Sequence, residues 1–279
     1  MTNAEQIKRE VSLALAEDIG SGDVTAALLP ESRLTEAVIL SREPMIVCGQ
    51  AWVEEVFAQV DADIKLQWLV SEGSWLDHPI ELCRIKGNAR TILTAERCAL
   101  NFLQTLSGTA TKTHHYLEEL KGKKTRLLDT RKTIPGLRVA QKYAVACAGG
   151  VNHRMGLYDA FLIKENHIMA CGSIKSAIEK ARAAQRHLFV EVEVENLNEL
   201  KEALDAGPDR ILLDNFTPEM LVQAVSMNKH KQCELEASGG INLANLAEYA
   251  DTGVDFISIG AITKSIEAID LSLLLKSMQ

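Results

Sequence analysis

The sequence is poor in the features that mark several protein classes. Its six cysteines, Cys48, Cys83, Cys98, Cys147, Cys171 and Cys233, are scattered and no two stand at CxxC spacing. That pattern offers neither a zinc ribbon nor a disulfide framework, and it fits reduced, mostly buried thiols in a cytoplasmic protein. No His/Cys ligand cluster is visible. No apolar run is long enough to cross a bilayer. The opening stretch MTNAEQIKREVSLALAEDIG is charged and amphipathic, without a signal-type apolar segment. Low-complexity tracts are absent. Cations are outnumbered, 30 Lys and Arg against 38 Asp and Glu, for a net charge of -8. Such a balance argues against nucleic acid or an anionic membrane as the main partner.

What is present is apolar mass and a local excess of positive charge. A chain of 279 residues that is 47% hydrophobic can bury one large core, or a small core and a barrel-sized one. Between Leu127 and Ile168 six cations (Arg131, Lys132, Arg138, Lys142, Arg154, Lys164) face three acids (Asp129, Asp159, Glu165). That segment is therefore +3 and the remainder -11. A cationic island in an acidic chain points to a local anionic ligand; a solvated cationic face is the plainer alternative.

From residue 120 onward apolar strand candidates alternate with amphipathic helices. The strands are TRLLDT (125–130), AFLIKENHI (160–168), LFVEVEVE (188–195), RILLDNF (210–216), CELEASGG (233–240) and FISIGAI (256–262). Thr217-Pro218 reads as an N-cap and first helical position, and Gly207 and Gly253 as C-terminal stops. This rhythm predicts parallel βα units and a closed or nearly closed α/β barrel, with a doubly wound open sheet as the alternative. The first hundred residues predict a small α+β domain: strand-turn-strand in TEAVILSREPMIVCG, a helix in QAWVEEVFAQV, and a meander of short strands through ARTIL. One long helix then follows, or two broken near Gly108. The expected domains are 1–108 and 109–266.

In α/β barrels the ends of the strands build the site. These strands deliver Thr130, Arg131 and Lys132; Lys164, Glu165 and Asn166; Glu193 and Glu195; Asp214 and Asn215; Ser238, Gly239 and Gly240; and Gly260 and Ala261. The loop GGVNHRMG adds His153 and Arg154. Arg131 and Arg154 suit bidentate recognition of carboxylate or phosphate, while Lys132 and Lys164 act as point charges. Lys164 could instead pair with Glu193 or Asp214. Glu191, Glu193 and Glu195 share one strand face, and Glu193 is the one expected in the barrel mouth. With Asp214 it could hold Mg²⁺ or ribose hydroxyls. The SGG and IGA turns let backbone N–H groups approach a phosphate.

Together LLDTRKTIPGLR, GGVNHRMGLYDAFLIKENHI, VEVEVENLNEL, ILLDNF and SGGI, with LTAERCALNFLQTLSGTAT upstream, resemble the quinolinate phosphoribosyltransferase family. The likeness runs from EDIGSGDVTAALLP to the end of the chain. It implies an N-terminal α+β domain over an incomplete TIM-like barrel, with a C-terminal helix at 267–279 returning to the first domain. It implies a homodimer whose sites are completed by the neighbouring subunit, larger assemblies being left open. The pyridine dicarboxylate pocket would be Arg97, Thr130, Arg131, His153, Arg154 and Lys164. The phosphoribosyl pyrophosphate side would be Lys132, Glu193, Asp214, Ser238, Gly239, Gly240, Gly260 and Ala261, with Mg²⁺ arriving on that co-substrate. Lys132, Lys164, Glu193 and Asp214 would be catalytic, and Arg138, Asn166 and His167 supporting. The alternatives are a related pyrophosphorylase-like protein associated with molybdenum transport, a Schiff-base lyase using Lys164, and a phosphate-binding protein without turnover.

Overall fold

The computed structural model describes residues 4–229 and 232–276. The chain divides into two compact units: Met1–His114 with Ile134–Gly149 and Ser265–Gln279, and His115–Thr133 with Gly150–Lys264. Ile134–Gly149, inside the segment expected to be barrel, thus belongs to the first unit.

The first unit contains α1 (Ala4–Ile19), β1 (Leu34–Ser41), β2 (Met45–Ile46), α2 (Gln50–Val60), β3 (Lys65–Trp68), β4 (Trp75–Leu76) and β5 (Glu81–Asn88). A 31-residue helix, α3 (Ala89–Glu119), follows. The segment ARTIL, expected to be strand, is the first turns of this helix. It runs unbroken through Gly108, where an added Cβ would lie 2.1 Å from the carbonyl oxygen of Glu267. The glycine is there to let another stretch of chain cross the helix, not to end it. After β6 (Arg126–Leu128) of the other unit, α4 (Arg138–Cys147) returns to this one. Ala140 and Ala144 of α4 join the core of Trp52, Phe57, Ile92 and Leu103.

The expected C-terminal helix at 267–279 is not found among the described residues: 267–270 carry no regular structure, Leu271–Lys276 form a strand, named β12 below, and 277–279 lie outside the described residues. It pairs antiparallel with β1, from Ser41↔Leu271 to Glu36↔Lys276, giving the sheet order β12-β1-β5-β3. Leu271 and Leu273 are buried on one face with Ser272 between them. An open edge of β1 satisfies the segment's backbone groups, and its alternation suits period two better than a helix.

The second unit continues from β6 with β7 (Phe161–Ile163), α5 (Glu165–Cys171), α6 (Ile174–Ala184), β8 (Val190–Val194), α7 (Leu197–Ala206) and β9 (Arg210–Asp214). Then come α8 (Pro218–Met227), β10 (Glu234–Ser238), α9 (Leu246–Asp251), β11 (Phe256–Ser258) and α10 (Ala261–Lys264). The strands order β6-β11-β10-β9-β8-β7, all parallel. The first strand pairs with the last, which a doubly wound sheet does not do. Among the described residues no ladder joins β6 to β7, so the barrel is incomplete; a single parallel bridge, Leu128↔Val151, sits at that seam. Local signals work as expected. The Thr217 hydroxyl accepts the Met220 N–H at the start of α8, and Gly207 ends α7 at φ 66°.

Period two sorts the strand residues. Val190, Val192, Val194, Ile211, Leu213, Leu235 and Ala237 are buried. The opposite face carries Glu191 and Glu193, Arg210 and Asp214, and Glu236 and Ser238. Parallel strands covered on both faces are normally apolar on both. This departure puts charge inside the barrel.

Candidate active site

A cavity of about 260 Å³ opens at the strand ends of the second unit. Thr130, Arg131, Lys132, His153, Arg154, Lys164, Glu193, Asp214 and Ser238 line it, with Glu236 and Ser258 deeper. Nine expected residues are thus brought together. Gly260 stands against them: a Cβ there would meet Lys132 Cδ at 2.9 Å and Thr130 Oγ1 at 3.4 Å. Ala261 begins α10. Arg97 lies exposed on α3 in the first unit, and Arg138 starts α4 there.

The cations sit on a braced loop. The Lys132 N–H donates to Thr130 Oγ1 at 3.0 Å, and its carbonyl accepts from Thr263 Oγ1 at 2.7 Å. Beneath them Asp129 is fully buried. Its carboxylate accepts the His153 N–H at 2.8 Å and Asn152 Nδ2 at 2.6 Å. One strand-end aspartate therefore ties the Arg131–Lys132 loop to the His153–Arg154 loop. Burial and the neighbouring Arg131 charge lower the Arg154 pKa, and Arg154 Nε is buried without a hydrogen-bond acceptor. Two guanidinium groups held together in a partly dry pocket favour an anionic ligand between them.

His153 Nδ1 accepts the Arg154 N–H at 2.7 Å, so the ring proton belongs on Nε2, which stands 3.0 Å from Glu191 Oε2. Both ring nitrogens are engaged within the protein. Glu191 itself lies 2% exposed and Glu236 0%. Burial, relieved in part by Arg210, pushes Glu191 up to about 7, and burial with the Glu191 charge pushes Glu236 up to about 8. Two carboxyls in this position cannot both ionise cheaply, and at neutral pH the pair retains a proton. Arg210 closes the floor, with Nη1 3.2 Å from Glu236 and Nη2 2.7 Å from Glu234, and with its guanidinium 4.1 Å from the Phe256 ring centroid. Reading the sequence missed Glu191, Glu236 and Arg210 as parts of the site. The available signal was a glutamate alternating with Val, Leu and Ala in VEVEV and ELEAS.

At the mouth Lys164 Nζ is ion-paired with Glu193. AFLIKENHI does not continue as one strand: β7 stops at Ile163, and α5 begins at Glu165. His167 Nδ1 accepts the Lys164 N–H at 3.0 Å, which caps this turn and aims Lys164. Asp214 is raised by burial and by the Glu193 charge, against Lys164 and Lys132. Asn215, in the left-handed region at φ 57°, donates from Nδ2 to Asp214 Oδ2 at 2.9 Å. Its backbone N–H donates to the Ser238 carbonyl at 2.8 Å. Gly239 packs on it so closely that a Cβ would lie 2.2 Å from Asn215 Oδ1. Oxygen donors on Glu193 and Asp214 whose charges repel suit a hard divalent cation such as Mg²⁺.

Known proteins resemble this chain in sequence and in fold. Residues 109–274 match the family described as "Quinolinate phosphoribosyl transferase, C-terminal domain", and residues 23–107 the corresponding N-terminal domain. The chain is 39% identical to a probable nicotinate-nucleotide pyrophosphorylase [carboxylating] of Bacillus subtilis, over 97% of this chain and 94% of the relative. It is 41% identical to the nicotinate-nucleotide pyrophosphorylase [carboxylating] of Mycobacterium leprae, over 93% and 94%. The solved nicotinate-nucleotide pyrophosphorylase of Francisella tularensis superposes with a TM-score of 0.96 at 49% identity, covering 99% of this chain and 98% of that one. With both halves matched in sequence and in fold, the chain belongs to the quinolinate phosphoribosyltransferase family.

Proposed function

We propose that the protein transfers the phosphoribosyl group of phosphoribosyl pyrophosphate to quinolinate with loss of CO₂, forming nicotinate mononucleotide and pyrophosphate. The observation that carries this reading is the pairing, in one cavity, of Arg131, Arg154 and Lys132 with the Glu193–Asp214 carboxylates. Three cations suit a dicarboxylate beside a pyrophosphate, and two carboxylates suit ribose hydroxyls and a metal. Arg131 and Arg154 hold the pyridine carboxylates. His153, engaged at both ring nitrogens, positions Arg154 through its backbone N–H. Lys132, braced by Thr130 and Thr263, faces the departing pyrophosphate. Backbone groups of Ser238, Gly239, Gly240, Gly260 and Ala261 approach the 5′-phosphate. Glu193 and Asp214 would hold Mg²⁺ carried in by the co-substrate, which supplies charge neutralisation of the leaving pyrophosphate.

As the C1–O bond to pyrophosphate breaks, the ring nitrogen lone pair forms the N–C1 bond. The pyridinium then accepts the electron pair of the C2–carboxylate bond, CO₂ leaves, and C2 takes a proton. Catalysis lies in positioning and fixed charge, with no protein nucleophile. Lys164 paired with Glu193 presents an ammonium to an anion, whereas a Schiff base needs the free amine.

The active assembly in this reading is a homodimer in which Arg97 of one subunit serves the barrel of the other. Incubation with quinolinate, phosphoribosyl pyrophosphate and Mg²⁺ should yield nicotinate mononucleotide and CO₂; phosphate-ester binding without turnover would overturn the assignment. Substrate profiling separates it from the molybdenum-associated relative. Mixing Arg97→Ala with Lys132→Ala subunits should restore about a quarter of wild-type activity, because about half the dimers are hybrids with one intact site. Verified exchange without recovery would refute the shared site.

A further inference from the structure

We propose that Cys48 and Cys147 form an oxidisable dithiol, which a hydroperoxide closes to an intramolecular disulfide. The two thiols belong to the first unit, whereas the residues lining the candidate cavity belong to the second. Cys48 stands between β2 and α2, and Cys147 is the last residue of α4. Their sulfurs and a Glu72 carboxylate oxygen all lie within 4.8 Å of one another. Both are reduced, with Cys48 buried and Cys147 half-buried.

The two sulfurs are built differently. Cys48 is fixed by Ser107, whose hydroxyl accepts the Cys48 N–H at 3.0 Å and donates to the Cys48 carbonyl at 3.1 Å. Burial raises its thiol well above the ordinary range. Cys147 goes the other way, since the adjacent Cys48 thiol favours its thiolate and lowers its pKa, against burial and the Glu72 charge. By contrast, burial pushes Cys98 and Cys233 up to about 11 and Cys83 up to about 12. Gly73 passes beside the Cys147 sulfur, and a Cβ there would touch it at 3.4 Å. A reachable, more acidic sulfur in contact with a buried, protonated one is the arrangement of an attacking and a resolving thiol.

The same three residues could be read as a metal site. Glu72, however, is already occupied as a helix cap. Its Oε1 accepts from the Gly49 N–H at 2.8 Å and the Tyr143 hydroxyl at 2.9 Å, and its Oε2 from the Gln50 N–H at 3.2 Å. A metal would also require the buried Cys48 as a thiolate. A disulfide is neutral and needs no such ionisation.

The chemistry balances. The Cys147 thiolate attacks a peroxide oxygen; the S–O bond forms, the O–O bond breaks and hydroxide leaves. The Cys48 sulfur then attacks the sulfenic sulfur, the S–S bond forms, and its proton departs with the hydroxyl as water. With the hydroxide taking the proton that left Cys147, the sum is two thiols and one hydrogen peroxide giving one disulfide and two waters; an organic hydroperoxide gives an alcohol in place of one water.

The test uses the intact wild-type protein with a few equivalents of hydrogen peroxide. Of the six thiols, two should disappear, the mass should fall by two hydrogen atoms, and peptide mapping should join Cys48 to Cys147. Dithiothreitol should reverse all three. In Cys48→Ser, Cys147 should instead gain oxygen and form a dimedone adduct. The proposal is overturned if wild-type Cys147 is oxidised to sulfinic acid while Cys48 stays free. It is also overturned if the link joins other cysteines, if no thiol is lost from folded protein, or if both cysteines hold a stoichiometric Zn²⁺ that blocks the oxidation.

Discussion

Replacing Glu236 by Gln should stabilise the protein in alkali and leave it nearly unchanged in acid. Glu236 is 0% exposed and its carboxyl is pushed up to about 8 from the ordinary 4.5, by burial first and then by the Glu191 charge. Below pH 4.5 the folded and unfolded chains both keep this proton. Between 4.5 and about 8 the unfolded chain releases it while the folded chain retains it, so stability falls as pH rises through that window. Each pKa unit is worth about 1.4 kcal/mol, which sets a ceiling of about 5 kcal/mol. Part of the shift is repulsion within the Glu191–Glu236 pair, so a gain of about 2–4 kcal/mol at pH 9 is expected. At pH 5 glutamine replaces a neutral acid of the same shape, and the difference should stay within about 1 kcal/mol. Arg210 keeps its contacts to Glu234 at 2.7 and 3.1 Å, so the substitution does not strand it. Urea denaturation at pH 5 and pH 9 measures both arms. A variant destabilised by the same amount at both pH values would mean that Glu236 is ionised throughout, and the proton-sharing account would fail.

Gly239→Ala should lower kcat/KM by about 100-fold, because the methyl group would lie 2.2 Å from Asn215 Oδ1 at a backbone φ of +94° and displace the residue that orients Asp214; wild-type kinetics would refute that role. Asn196→Ala removes a cap that accepts the Asn198 and Glu199 N–H groups at 3.1 Å each, and should cost about 1 kcal/mol in urea unfolding. Nicotinate should be a far poorer substrate than quinolinate, since the missing carboxylate strands one guanidinium at a cost of about 2–5 kcal/mol; equal rates would contradict the dicarboxylate pocket. Excess chelator should abolish turnover and Mg²⁺ restore it, while elemental analysis of dialysed protein should find no stoichiometric transition metal; full activity in chelator would count against the Glu193–Asp214 metal assignment.

Short-range periodicity was enough to identify the βα units, because a strand buried between layers and a helix with one apolar face leave different repeats in the sequence. It also placed Thr130, Arg131, Lys132, Lys164, Glu193, Asp214 and Ser238 at strand ends, and the curled parallel order of the incomplete barrel, with β6 beside β11, turned that one-dimensional coincidence into one cavity. Caps such as Thr217 and Gly207 were legible for the same reason, since their partners lie within one turn. What depended on distant partners was not. Gly108 reads as a helix break until the chain at Glu267 is seen crossing it, and 271–276 become strand because the edge of β1 is open there. Glu191 and Glu236 look like solvated strand residues; only three-dimensional packing encloses them with His153 and Arg210 and changes their ionisation. Cys48 and Cys147 likewise meet only because α4 packs into the first unit. A sequence records the propensities of neighbours, whereas desolvation and charge pairing depend on which remote segments share a volume.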